Sequence, residues 1–307
     1  MAPTRGVRSR LPQGRLHLAA VLITAGALVA GCGSPSSSTT TSPSPNRGPV
    51  DVLYAGSLVN LMEKSVGPQF SKVTGYEFVG FGAGSSVLAS DIKGKVRQGD
   101  VFISASPAVN ATLQGSANGD WVSWYATFAK SKLVIGYNPS SSFASQLQSQ
   151  PWYQVITQPG FRIGRTDPVL DPKGKLTVTA LTQAATMFKQ PALTAITKDT
   201  NTVFPEEALV GRLQAGQLDA GFFYTIEASE AKIQTIPIDP LSLNATYTTT
   251  ILNQAPHQAG ALAFVNYLLG SGGQSFLASH GLTLISPPSV SGSGVPSPLS
   301  SVIPSTS

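Results

Sequence analysis

The chain has 307 residues, 41% of them hydrophobic and 11% charged, enough apolar material for a sizeable core in one or two domains. Its basic excess is local: Arg5, Arg8, Arg10 and Arg15 are four of the 20 Lys and Arg, and the first 31 residues hold no Asp or Glu. The remainder sets 16 basic residues against 15 acidic ones, so a mature chain carries no electrostatic footprint for nucleic acid.

The N-terminus reads as a targeting segment over 1–31. Arginines come first, then the apolar stretch Leu16–Ala30, which is short for a membrane span, then Val29-Ala30-Gly31-Cys32. This ending resembles the bacterial lipobox, in which the cysteine thiol takes a diacylglycerol whose acyl chains anchor the protein to a membrane. Cys32 is the chain's one cysteine, so an intrachain disulfide framework and a multi-cysteine metal site are excluded. Residues 32–48 form the expected lipidated Cys and Ser/Thr/Pro tether, and 287–307 a disordered Ser/Pro tail of the same character. The folded unit is expected over 49–286.

Within it, short apolar strands alternate with amphipathic helices. Strands are predicted at Val50–Tyr54, Tyr76–Phe81, Val101–Ala105, Leu133–Tyr137, Arg162–Arg165 and Ala220–Tyr224. Helices are predicted at Leu58–Val73, Ser86–Arg97, Leu176–Phe188, Pro205–Ala215 and Gln258–Leu269, with Pro205 in a first turn. This alternation predicts an α/β fold with mainly parallel sheets flanked by helices, and ligands beyond the carboxyl ends of strands.

Two turns carry the chemistry. In Tyr54-Ala55-Gly56-Ser57-Leu58 a strand ends, Gly56 permits a tight turn and Ser57 is placed at a helix N-cap. The layout recurs at Phe81-Gly82-Ala83-Gly84-Ser85-Ser86. Either turn alone is ordinary helix capping. Two of them, each after a parallel strand, aim two helix N-termini and two or three hydroxyls at one crevice, which suits an anion. A dinucleotide fingerprint at Gly80-Phe81-Gly82-Ala83-Gly84 is the weaker reading, because its third glycine falls on Ser85. Catalysis finds no motif. His17, His257 and His280 form no His-x-x-x-His pair, and neither a nucleophile elbow nor a P-loop is present. His257 reads as a surface or cap residue. No enzyme activity, cofactor or metal beyond a bound oxyanion is expected.

Four stretches resemble the molybdate/tungstate-binding proteins of ABC importers. They are Tyr54–Leu58, Gly84-Ser85 with Asp100–Ala105, Tyr125–Tyr137 and Phe161–Gly174, with a weaker fifth at Asp219–Ala228. The resemblance covers about 50–285 and implies the two-lobe type II periplasmic-binding-protein fold, with ligand in the inter-lobe cleft. Lobe one is expected over 49–130 plus 235–286, lobe two over 131–234, with Tyr125–Tyr137 the first crossover. It also implies site roles. Ser57 and Ser85, with Ser86 as substitute, match serines that hold oxyanion oxygens. Lys173 of the Asp171–Gly174 turn and Glu206 match backbone N–H donors, and Tyr224 matches a hydroxyl donor or else a core tyrosine. Asp171 matches one of two carboxylates that bond the metal in archaeal tungstate binders. The second falls on Phe223, and Glu227 is expected to face elsewhere. With one acid at the site, four-coordinate, hydrogen-bonded binding is expected, Asp171 then capping the turn, as Asp167 also can.

The partners implied are a molybdate or tungstate oxyanion, an ABC permease with its cytoplasmic ATPase, and the membrane through the lipid on Cys32. The chain is expected to be a monomer. Sulfate or another oxyanion, and a non-transport surface or sensory lipoprotein of the same fold, remain as alternatives.

Overall fold

The computed structural model describes residues 47–304. The targeting segment, Cys32 and all but the end of the tether lie outside the described residues.

The first apolar run forms strand β1 (Pro49–Ala55), in which Val50 and every residue from Val52 onward are buried. It pairs in parallel with β2 (Glu77–Ala83) and with β3 (Val101–Ser104). Parallel neighbours need crossovers, and helical segments supply them. One is the continuous run over 56–74, the other the helix Ser85–Lys93. Both crossovers therefore begin at the carboxyl end of a strand, which places the two serine turns side by side.

Strand β4 (Trp124–Tyr137) links two sheets. Over Ala126–Lys132 it pairs antiparallel with β8 (Asn244–Ile251), and it also pairs with β9 (Thr283–Gly292). In its second half it pairs with β6 (Ala220–Tyr224) and β7 (Gln234–Pro237), and β5 (Ile163–Gly164) lies parallel to β6. The burial pattern follows this division. Exposed Lys130 and Lys132 alternate with buried Ala129 and Ser131, after which Leu133–Tyr137 are all buried. A strand flanked on both edges and covered on both faces reads as a continuous apolar run.

The α/β class is as expected, but the sheet is mixed where mainly parallel pairing was predicted. β3 with β8, and β4 with each of β6, β7, β8 and β9, are antiparallel. The reason is topological. β4 carries the chain into the second sheet and β8 carries it back, so adjacent crossing strands run in opposite directions.

Element boundaries shift modestly. The helix predicted to Arg97 ends at Lys93, before Gly94. The helix predicted from Leu176 begins at Pro172. Pro205 occupies the N-cap ahead of the helix Glu206–Gln214 instead of its first turn. His257 is the N-cap of the helix Gln258–Leu269. Its amide donates to Asp100 Oδ1 at 2.6 Å while the Asp51 amide donates to Asp100 Oδ2 at 2.7 Å. Asp100, fully buried, thus ties the first strand to the helix after β8.

The expected disordered tail is the main correction. β9 runs to Gly292 along β4, and a turn follows at Ser297–Leu299. Leu299 and Ile303 are buried in the same core as β1 and β4. Ser/Pro composition misleads here for two reasons. Strand pairing uses backbone groups whatever the side chains, and the sparse apolar residues are enough to dock the segment.

Leu299→Ala is expected to lower unfolding free energy by about 2–5 kcal/mol, the usual cost of truncating a buried leucine. Urea denaturation checks this, and an unchanged midpoint would detach the segment from the core.

Candidate functional site

The polar residues buried in this fold gather where the two sheets face each other. From the first sheet comes the turn Gly56–Leu58, directly after β1. Ser57 is buried, and its Oγ lies 2.9 Å from the hydroxyl of Tyr247 on β8. Ala55, not Ser57, is the cap residue of this turn. Likewise Gly84 is the cap of the helix Ser85–Lys93, and Ser85 is its first residue. The Ser85 hydroxyl accepts from the Ala105 amide at 3.1 Å, bracing the turn to the end of β3. Ser86 is partly exposed and lines a cleft of about 520 Å³ with Ala105, Asp171 and Lys175.

The second sheet contributes the charge. Asp171 is the N-cap of the helix Pro172–Met187, and its Oδ1 accepts from the Lys173 amide at 3.0 Å. That amide, expected to face an anion, is therefore already engaged. Gly174 is required beside it, because a Cβ there would sit 2.5 Å from the Asp167 carbonyl. The Lys173 side chain is fully buried. Its Nζ meets Glu227 Oε1 at 2.9 Å and Oε2 at 2.7 Å, and Glu206 Oε1 at 3.4 Å. A buried ammonium is tolerated only with such partners.

This cluster differs from the expected site in its acids. Glu206 was to supply an amide, yet its side chain enters the site, packed so closely on Gly56 that a Cβ there would lie 2.7 Å from Glu206 Oε2. Glu227 was to face elsewhere, yet it holds Lys173. The premise of a single acid fails, since Asp171, Glu206 and Glu227 are all buried together.

Tyr224 closes the arrangement at the end of β6. Its ring packs edge-on to Tyr247 with centroids 6.3 Å apart. Among the described residues, four buried site atoms have no hydrogen-bond partner: Tyr224 OH, Asp171 Oδ2 and both carboxylate oxygens of Glu206. Buried polar atoms are nearly always paired, so a group of four marks a place built for something else.

Titration follows from this packing. Burial would lower the Lys173 ammonium, but Glu227, then Glu206 and Asp171, outweigh it and hold it above the ordinary lysine range. Burial, and next the charge of Asp171, push the Glu206 carboxyl well up. Burial raises Asp171 as well, against the pull of Lys173. Burial also keeps the Tyr224 and Tyr247 hydroxyls protonated, available as donors.

Of the residues singled out from the sequence, Ser57, Asp171, Lys173, Glu206 and Tyr224 lie together, with Ser85 and Ser86 at the margin. Sequence reasoning missed Tyr247, Glu227 and the Lys173 ammonium. Tyr247 carried a faint signal as the one aromatic in the strand Asn244–Ile251. The Lys173–Glu227 pair spans 54 positions and carried none.

Two sheets joined by crossing strands, with a buried polar site between helix starts, make up the type II periplasmic-binding-protein fold. The sequence profile for bacterial extracellular solute-binding proteins matches residues 50–283, and the chain belongs to that family. A Haloferax volcanii protein, provisionally named an ABC transporter molybdenum-binding protein, is 32% identical over 225 residues, covering 73% of this chain and 67% of that protein. In fold, the Azotobacter vinelandii periplasmic molybdate-binding protein is similar, with a TM-score of 0.60 at 19% identity, covering 77% of this chain and 99% of that one. The sulfate-binding protein SubI of Mycobacterium tuberculosis is nearly as similar, with a TM-score of 0.59 at 16% identity, covering 78% and 87%.

Lys173→Met strands the buried acids and is expected to cost about 3–5 kcal/mol of stability at neutral pH. The raised Glu206 and Asp171 carboxyls bind protons more tightly folded than unfolded, so the deficit is largest at high pH and shrinks as pH falls. Urea denaturation at pH 8 and pH 5 checks the sign. An equal loss at both values would remove these acids from the account.

Proposed function

We propose that this chain is a lipid-anchored, extracytoplasmic binding protein that captures molybdate or tungstate and delivers it to an ABC permease driven by a cytoplasmic ATPase. The observation that carries the reading is the Tyr224 hydroxyl, buried and unpartnered beside the Ser57–Tyr247 pair. A tetrahedral dianion there would receive hydrogen bonds from neutral hydroxyls and from the start of the Gly56–Leu58 turn, each contributing about 1.5–3 kcal/mol. The donors come from opposite sheets, so only the closed form completes the set, and ligand favours closure.

In this reading the lobes are 49–130 plus 235–286, now extended through the docked β9 segment, and 131–234. Cys32 carries the lipid, and the tether keeps the lobes near the permease, raising their effective concentration there. The Haloferax relative's molybdenum assignment supports the choice of anion.

A second reading has one observation in its favour. Three buried carboxylates and two tyrosines around one ammonium also suit a metal cation.

Calorimetry on residues 33–307 with molybdate, tungstate, sulfate, phosphate and ferric citrate separates these readings. Heat with molybdate or tungstate is expected, and heat with ferric iron alone would favour the cation. Ser57→Ala and Tyr224→Phe are each expected to weaken oxyanion binding by about 1–3 kcal/mol. Tyr224→Phe is expected to leave the melting temperature of the empty protein nearly unchanged, because its hydroxyl bonds nothing there. Wild-type affinity in Tyr224→Phe would make it a core residue only.

A further inference from the structure

The proposed anion site holds more acid than base. Asp171, Glu206 and Glu227 are each 4% exposed, and Lys173 is fully buried among them. The three acids do not stand in equivalent places. Glu227 takes Lys173 Nζ on both of its oxygens, which neutralises one carboxylate. Asp171 has one oxygen on the Lys173 amide. Glu206 has the 3.4 Å contact of Oε1 with Nζ, longer than either Glu227 contact, and its Oε2 has no hydrogen-bond partner.

The groups around Glu206 come from several elements, and Asp167 and Glu207 line one cleft with Glu206 and Asp171. Asp171 and Lys173 come from the helix Pro172–Met187, Glu227 from the helix Thr225–Glu230, Tyr224 from β6 and Tyr247 from β8. One of these is cationic, and Glu227 already occupies it. The Glu206 side chain meanwhile abuts Gly56, next to the serine that the anion reading needs. An ionised Glu206 would set carboxylate lone pairs against an oxyanion oxygen in a buried site, where screening is weakest. A neutral carboxyl has an O–H to donate instead.

We infer that Glu206 is a proton-carrying ligand residue: the anion enters together with one proton, which Glu206 holds and donates in a hydrogen bond to an anion oxygen. This rests on the oxyanion reading above. The proton comes from solvent as the lobes close, and it returns when they open. Burial and the neighbouring Asp171 charge, which both favour the neutral acid, act in the same direction.

The test is calorimetric titration of the chain over 33–307 with sodium molybdate at pH 7, in two buffers of different ionisation heat. About one proton taken up per anion is expected, with affinity falling about tenfold per pH unit where uptake is complete. Glu206→Gln keeps the shape, supplies a fixed N–H donor and cannot titrate. In it the uptake is expected to vanish and the pH slope to flatten. Tight wild-type binding without proton uptake overturns the inference, and so does undiminished uptake in Glu206→Gln. The wild-type measurement decides the matter even where the variant does not fold. No heat with molybdate or tungstate overturns the oxyanion reading itself, which distinguishes the two failures.

Discussion

Lys173 Nζ is the charge around which the second half of this protein is arranged. A lysine head group taken from water into a protein interior loses several kcal/mol of hydration, and only close, well-placed carboxylates compensate. Here Glu227, in the helix beginning at Thr225, supplies the close pairing, Glu206 at the start of its own helix lies 3.4 Å from Nζ, and Lys173 itself lies in the first turn of the helix Pro172–Met187. One ammonium therefore fixes the relative positions of three helix starts. Removing it would leave the acids facing one another in a buried site.

That constraint determines what the first sheet meets. With its helix start held, Glu206 lies against Gly56, and the carbonyl of Leu170 comes 2.6 Å from where a Gly84 Cβ would stand. The Val87 amide donates to the same Leu170 carbonyl at 3.3 Å. Each of the two serine turns thus carries a glycine at the point of nearest approach to the opposing sheet. A side chain at either position would hold the sheets apart. The glycines first read as turn formers are equally close-packing residues, and the two roles coincide because strands end where the sheets face one another.

Much of this was legible in the sequence wherever the signal was local. Apolar runs gave β1, β3 and β6, and the helix Gln258–Leu269 appears with its predicted limits. The glycine–serine turns showed where the two sheets come together. Long-range charge pairing was not legible, because nothing in residues 171–175 announces a partner at 227. Glu206 is the instructive case. Its position was identified and its chemistry was not, since the backbone amide was expected to matter and the carboxylate is what enters the site. The tail failed for the opposite reason: composition gave a strong local signal, and docking by a few apolar side chains overrode it.

The fold does not choose the anion. Likeness to a molybdate-binding and to a sulfate-binding protein is almost equal, at TM-scores of 0.60 and 0.59. Selectivity therefore has to reside in the site, and its acid content is the distinguishing property. A hydrogen bond from a neutral carboxyl is strongest when donor and acceptor compete evenly for the proton. Bisulfate is a much stronger acid than hydrogen molybdate, so sulfate oxygens compete poorly and molybdate oxygens compete well. Three carboxylates around one lysine would exclude dianions in general if all stayed ionised. In the proposed reading, a proton on Glu206 makes the same cluster favour the more basic oxyanion, which would tell molybdate and tungstate from sulfate.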